Sequence, residues 1–291
     1  LGLIKFSVAA VLIYCLFVAC LYLFQRRILF VPGQVSPDRQ EAGVPDMREI
    51  DLSSVDGLCL RSWYRGATDS RPTIVYFQGN AGSIAGRGFK ARAFIDRGYG
   101  VLLVGYRGYG GNPGAPSESG LILDGRAALS FLQAEGVSAK DTVLYGESLG
   151  SGIAVALAVQ IWGVAQSSEG LRSPLGALVL EAPYTSIAEI AATRYWFVPV
   201  RYMLKDPFDS LSKIANLRSP LLILHGQRDA VIAVEHGRQL YDMAPKPKRF
   251  HLFEEGRHSD LFDHGAAEVV NGFLEAILDS SHPRLAPKSD P

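Results

Sequence analysis

Apolar positions follow two different patterns along this chain. Residues 6–24 (FSVAAVLIYCLFVACLYLF) are continuously apolar or small and carry no charge, close to the roughly 20 residues that cross a bilayer core as a helix. A buried core helix of this length would show a polar face, and a cleaved signal peptide would have a shorter apolar region followed by small residues. Val18-Ala19-Cys20 loosely resembles the end of a lipid-attachment box, but Phe17 and the apolar residues after Cys20 fit that pattern poorly. A single transmembrane helix within residues 1–30 is therefore predicted. Lys5 precedes the run while Arg26, Arg27 and Arg39 follow it, a balance that favours the cytoplasmic face for the rest of the chain.

Beyond a Pro- and Gly-containing linker, residues 31–46, the pattern changes. Short runs rich in Val, Ile, Leu and Tyr recur at 50–53, 59–64, 73–77, 101–104, 142–145, 177–180, 221–224 and 250–253. Helix-length stretches at 117–134, 149–162, 234–243 and 265–278 separate the later ones. This alternation predicts an α/β fold, a mostly parallel eight-stranded sheet with helices on both faces, occupying residues 47–281. Uninterrupted runs such as Leu221-Leu222-Ile223-Leu224 fit strands covered on both sides. Residues 282–291, with three prolines, read as a disordered tail.

Composition narrows the function. Lys+Arg and Asp+Glu both number 29, so no net positive charge favours a nucleic-acid partner. Of three cysteines, two lie in the apolar N-terminal run, leaving no disulfide framework and no CxxC spacing for a metal. No cofactor is implied.

In parallel sheets, ligands bind beyond the carboxyl ends of the strands. There the predicted strand 142–145 runs into Gly146-Glu147-Ser148-Leu149-Gly150, and a small-residue helix start follows. A Gly-x-Ser-x-Gly turn between strand and helix is the pattern that raises a serine oxygen above a sheet. A serine hydroxyl needs a base, normally a histidine oriented by a carboxylate. His258 follows the last strand and Asp229 the penultimate one, so serine, acid and base come in the order this arrangement uses. His264 is the nearest rival base, Glu181 is the alternative acid, and the alternative reading of Asp229 is a turn residue capping the helix that follows. Two N–H donors are needed for an oxyanion. Leu149, after the serine, and Asn80, in the loop after the third strand, are the candidates.

Taken with Gln25-Arg26-Arg27-Ile28-Leu29-Phe30, Gly79-Asn80-Ala81-Gly82, Tyr106-Arg107-Gly108-Tyr109-Gly110, Pro116-Ser117-Glu118, Asp124 and Ala182-Pro183-Tyr184-Thr185-Ser186, the sequence resembles the α/β-hydrolase superfamily over nearly its whole length. Within it, the sequence is similar to the membrane-anchored group that includes protein depalmitoylases and lysophospholipid or monoacylglycerol lipases. The resemblance implies Ser148 as nucleophile, Asp229 as acid, His258 as base, and the backbone of Asn80 and Leu149 as oxyanion donors. It also implies hydrolysis of an acyl ester or thioester substrate, small-molecule or lipid, with the N-terminal helix held in membrane lipid. A peptidase or amidase using the same residues, or a catalytically silent scaffold, are the alternatives. Gln78 departs from the group, which usually has histidine there. Residues 184–209, with Tyr195-Trp196-Phe197, are the only stretch with room for a cap, and these aromatics read either as a lid over an acyl pocket or as plain core packing.

Overall fold

The computed structural model describes residues 2–68, 70–164 and 175–281; the expected tail at 282–291 lies outside the described residues. Eight strands form one sheet: β1 (Arg48–Ser53), β2 (Cys59–Arg65), β3 (Thr73–Phe77), β4 (Gly100–Leu103), β5 (Thr142–Glu147), β6 (Ala177–Glu181), β7 (Leu221–Gly226) and β8 (Lys248–Phe253). Their spatial order is β8-β7-β6-β5-β3-β4-β2-β1. Of the eight, β2 alone runs against the direction of the others. All residues of β3, β5, β6 and β7 are buried, as expected of strands with helices on both sides.

The alternation of side chains in these strands divides the core in two. Val75, Phe77, Leu144, Leu178 and Leu180 face one cluster, which takes in Leu121, Ile153 and Leu157. These come from helices α3 (Glu118–Ala134) and α4 (Leu149–Val164). Ile74, Tyr76, Val143, Tyr145, Val179 and Leu222 face the other, with Phe94 and Val270, from α2 (Gly88–Ile95) and α8 (Ala266–Ser281). Each fully buried Leu, Ile or Phe of this kind contributes about 1.5–3 kcal/mol.

Preceding the sheet, α1 (Gly2–Leu29) is a 28-residue apolar helix with no buried residue, about 42 Å long at 1.5 Å per residue. Its C-terminal half nonetheless touches the sheet domain. Arg26 pairs with the buried Asp206 through bonds of 2.7 and 3.1 Å, Phe30 is buried in the core, and Val31 and Pro32 pair with Ala81 and Gly82 as a short parallel ladder. Contacts thus cross the boundary the sequence draws at residue 30, and the two-residue ladder had no periodicity to reveal it. Between β6 and β7 the chain makes α5 (Ile187–Arg194), α6 (Val200–Met203) and α7 (Leu211–Ile214). The first two form the cap.

Candidate active site

The turn after β5 is tight, and two glycines make it so. A Cβ on Gly146 would lie 2.6 Å from the Gly150 carbonyl oxygen, and one on Gly150 would lie 2.1 Å from that of Phe77. Ser148 between them takes a φ of 49°, a region costly for a residue with a side chain. That strain is held in place by bonds from the Ser148 N–H to the Glu181 carbonyl (2.9 Å) and from the Ser151 hydroxyl to the Ser148 carbonyl (2.6 Å). The serine oxygen is thereby lifted to the carboxyl edge of the sheet.

There it meets His258. Asp229 Oδ2 lies 2.8 Å from His258 Nδ1, and a carboxylate can only accept, so Nδ1 carries the proton. Nε2 is then an acceptor, and the Ser148 hydroxyl donates to it at 3.0 Å. The other carboxylate oxygen, Oδ1, accepts from the N–H groups of Val231 and Ile232, each at 2.8 Å. Asp229 therefore both shapes its turn and orients the imidazole, one oxygen for each task. Burial pushes its carboxyl upward, but hydrogen bonds from His225, His258 and the Ile232 backbone outweigh that and hold it well below the usual carboxylate range. His225 Nε2 donates to the Ile232 carbonyl at 3.0 Å, supporting the same turn.

The rival residues lie elsewhere. His264 ends a short 3-10 turn and faces Asp260 at 3.9 Å. Glu181 points to the other side of the sheet edge, where its carboxylate accepts from Lys90 Nζ (2.8 and 3.0 Å) and the Tyr145 hydroxyl (2.6 Å).

Asn80 and Leu149 both line the cavity beside Ser148 and His258. Leu149 heads α4, so its N–H has no intrahelical partner. The Asn80 loop is braced on several sides. Its carbonyl accepts from Val31 N–H (3.0 Å) and the Tyr109 hydroxyl (2.9 Å), its side-chain amide donates to the Leu29 carbonyl (3.1 Å), and Tyr106 donates to the Gln78 carbonyl (3.0 Å). Tyr106 and Tyr109 thus hold the loop from behind. Arg107 sits between Asp124 and Asp56. The buried Gln78 side chain finds no hydrogen-bond partner among the described residues.

A charged cluster under the turn escaped the sequence reading. Arg87 forks onto Glu147 through bonds of 3.1 and 2.7 Å and also donates to the Ala81 carbonyl at 3.3 Å. It therefore ties the Asn80 loop to the residue preceding Ser148. Lys90 bridges Glu147 (3.2 Å) and Glu181 (2.8 Å), and Tyr76 donates to Glu147 at 2.5 Å. Burial opposes the charge on Glu147, but Lys90 and Arg87 more than offset it and lower its pKa. Lys90 is likewise raised by Glu181 and Glu147 against its burial. In sequence, Lys90 reads as an ordinary helix-surface lysine and Glu147 as the free position of a Gly-x-Ser-x-Gly motif. Glu147 carries one signal, an acidic residue in a stretch otherwise uncharged, whereas Lys90, flanked by Arg87 and Arg92, carries none.

Above Ser148 lies a cavity of about 570 Å³, within the range of about 300–1,000 Å³ usual for small-molecule sites. The cap contributes Ile187, Ile190, Tyr195, Val198, Val200 and Met203 to its lining, and α1 contributes Leu21, Tyr22, Gln25, Ile28 and Leu29. Among the described residues, none that lines it is acidic. Among the described residues, no group of three or more His, Cys, Asp or Glu side chains could hold a metal ion.

The chain is similar to known proteins at two levels. The Mycobacterium tuberculosis protein MT2364 is 36% identical over 258 residues, covering 87% of this chain and 85% of the relative. The alpha/beta hydrolase domain-containing protein WAV2 of Arabidopsis thaliana is 29% identical over 270 residues, covering 84% of each. A family model described as serine aminopeptidase, S33, matches residues 200–265. Among solved structures, the Pyrococcus furiosus esterase Pf2001 superimposes with a TM-score of 0.66 at 17% identity, covering 85% of this chain and 98% of that one. The esterase RhEst1 from Rhodococcus gives 0.59 at 21%, covering 79% and 99%.

Proposed function

This chain belongs to the α/β-hydrolase superfamily and has the fold of its serine-hydrolase-type esterases, and from that premise we propose that it is a membrane-anchored serine hydrolase cleaving acyl esters or thioesters. The observation that carries the reading is the chain of hydrogen bonds from Ser148 through His258 to Asp229 at the mouth of an apolar cavity. In this reaction Ser148 Oγ attacks the acyl carbonyl carbon as His258 Nε2 takes its proton. The developing oxyanion is held by the N–H groups of Leu149 and Asn80, a type of contact whose loss commonly costs about 3–4 kcal/mol per donor. The imidazolium, stabilised by the ionised Asp229, then protonates the departing alkoxide or thiolate. Water, activated by the same nitrogen, attacks the acyl-enzyme and frees the acid.

The anchor in this proposal is α1. Residues 6–24 hold no charge, and none of the helix's residues is buried, unlike those of a core helix. As the resemblance implies, the depalmitoylase and monoacylglycerol lipase group is the subgroup this chain fits best. The sheet domain would then lie on the cytoplasmic side, where Arg26, Arg27 and Arg39 follow the span.

The family model's description raises a peptidase as a second reading. An aminopeptidase must hold a substrate ammonium group, and among the described residues the cavity lining offers that charge no acidic partner. The test compares wild type and Ser148→Ala on esters of graded chain length, an acyl thioester and an aminoacyl anilide. Esters and thioesters should be cleaved fastest, with Ser148→Ala retaining only a small residue of activity. Faster cleavage of the anilide, or turnover by Ser148→Ala within tenfold of wild type, would reject the proposal.

A further inference from the structure

Five residues of α1 line the cavity above Ser148: Leu21, Tyr22, Gln25, Ile28 and Leu29. Their spacing places them on one face of the helix. That face is fastened to the cap along its length. Tyr14 donates to the Phe197 carbonyl at 2.7 Å, and the Phe17 and Phe197 rings stack at 6.0 Å. Gln25 receives the Lys205 N–H at 2.7 Å and donates to the Met203 carbonyl at 3.3 Å, while Lys205 Nζ lies 4.3 Å from the Tyr22 ring.

These contacts fix how deep the cap reaches. From Tyr14 to Phe24, the end of the uncharged run, the helix rises roughly 15 Å, about half of a hydrocarbon core some 30 Å thick. A cap that touches Tyr14 and Phe17 while α1 spans a bilayer therefore lies alongside one leaflet. Its outer surface suits that place: Trp196 is 82% exposed, Tyr202 92%, and Phe197 44%. The exposed Arg201 is neutralised by two bonds of 2.8 and 2.7 Å to Glu189. Arg194, at the end of α5, lines the cavity but is exposed, and its side chain is long enough to carry the charge out toward headgroups.

We infer that α1 is a wall of the acyl-binding site, and that the acyl chain of a membrane lipid ester passes directly from the leaflet, between α1 and residues 195–204, to the carbonyl held at Ser148. The inference rests on the proposed esterase reading and adds to it the substrate's source and path. The chain would leave one apolar environment for another, so the site need not extract it into water. Membrane attachment and substrate selection are then functions of one helix.

The experiment uses the full-length chain in phosphatidylcholine vesicles. A long-chain alkyl fluorophosphonate with a diazirine at its alkyl terminus is allowed to react with Ser148, the vesicles are irradiated, and crosslinked peptides are identified by mass spectrometry. Crosslinks are expected on α1 between Leu21 and Leu29 and on the cap between Ile187 and Leu204. Crosslinks confined to other elements would overturn the inference. Absence of any adduct on Ser148 would instead overturn the esterase reading beneath it. A second arm measures Leu21→Trp and Ile28→Trp, which fill the cavity from the α1 side. Both should shift the chain-length preference, losing at least tenfold more in kcat/KM on a vesicle-borne long-chain monoacylglycerol than on an acetate ester. An unchanged chain-length profile in variants that still cleave the acetate ester would contradict the inference.

Discussion

Beneath Ser148, four charged side chains, Arg87, Lys90, Glu147 and Glu181, are packed against one another and against two tyrosines inside the protein. Above it, the cavity is walled mainly by aliphatic and aromatic side chains from the cap and α1, and the cap turns Trp196 and Tyr202 outward. The floor is directional: each hydrogen bond fixes an angle, and Arg87 links the Asn80 loop to the strand that presents Ser148. The roof is non-directional, since apolar contact specifies shape and size but little orientation. Geometry for the chemical step is therefore set from below, and choice of acyl chain from above. Changes to the floor should slow every substrate alike, whereas changes to the roof should act according to chain length.

The largest effect expected belongs to the group that joins the two regions. Asp229→Asn should cut turnover about 10⁴-fold on short and long esters equally, because an amide at this position favours the wrong imidazole tautomer, as the equivalent change does in serine proteases. Glu181→Gln should cost far less. A loss that varied with acyl length would mean that Asp229 also shapes the roof and would blur the division.

Next comes the floor itself. Lys90→Met removes the cation shared by Glu147 and Glu181, and stranding buried charges of this kind costs about 3–5 kcal/mol, measurable by denaturant unfolding. The same cluster sets a pH dependence. Because the folded-state pKa of Glu147 is lowered, its contribution to stability is fully present above the unfolded value of about 4.3 and is lost as pH falls below it. Glu147→Gln should accordingly be less stable than wild type at pH 7 and lose less on acidification to pH 3. A parallel loss in both proteins would remove Glu147 from the account.

Smallest is the outer roof. Trp196→Ser and Tyr202→Ser alter exposed side chains and should change stability by less than about 0.5 kcal/mol, leaving acetate ester turnover as it was. Vesicle-borne ester hydrolysis should fall several-fold, because aromatic side chains at the bilayer interface hold the cap in place. Equal rates on vesicles would detach the cap from the membrane and leave the roof a purely internal wall.

How much of this was legible before the structure follows the same division. Continuous apolar runs such as Leu221-Leu222-Ile223-Leu224 marked the buried strands, and the glycines around Ser148 marked the turn, because both signals are local. The strands run further than their apolar cores predicted: β5 reaches Glu147, β6 Glu181 and β7 Gly226, since at the carboxyl edge hydrogen bonding rather than hydrophobicity extends them. Lys90 lies 57 residues from Glu147 and 91 from Glu181, so nothing local pairs them. Likewise the Arg26–Asp206 pair, separated by 180 residues, shows only once the cap has folded back over the sheet. A hydropathy pattern identifies α1 as an apolar helix but cannot tell which face meets the cap.

The most direct test of the account is a rapid-quench experiment in which a long-chain ester is mixed with full-length protein in vesicles, stopped within the first turnover, and digested for mass spectrometry. The peptide bearing Ser148 is predicted to carry the mass of the substrate's acyl group, with no such adduct in Ser148→Ala. Ester hydrolysis proceeding at the wild-type rate with Ser148 unmodified throughout would contradict it.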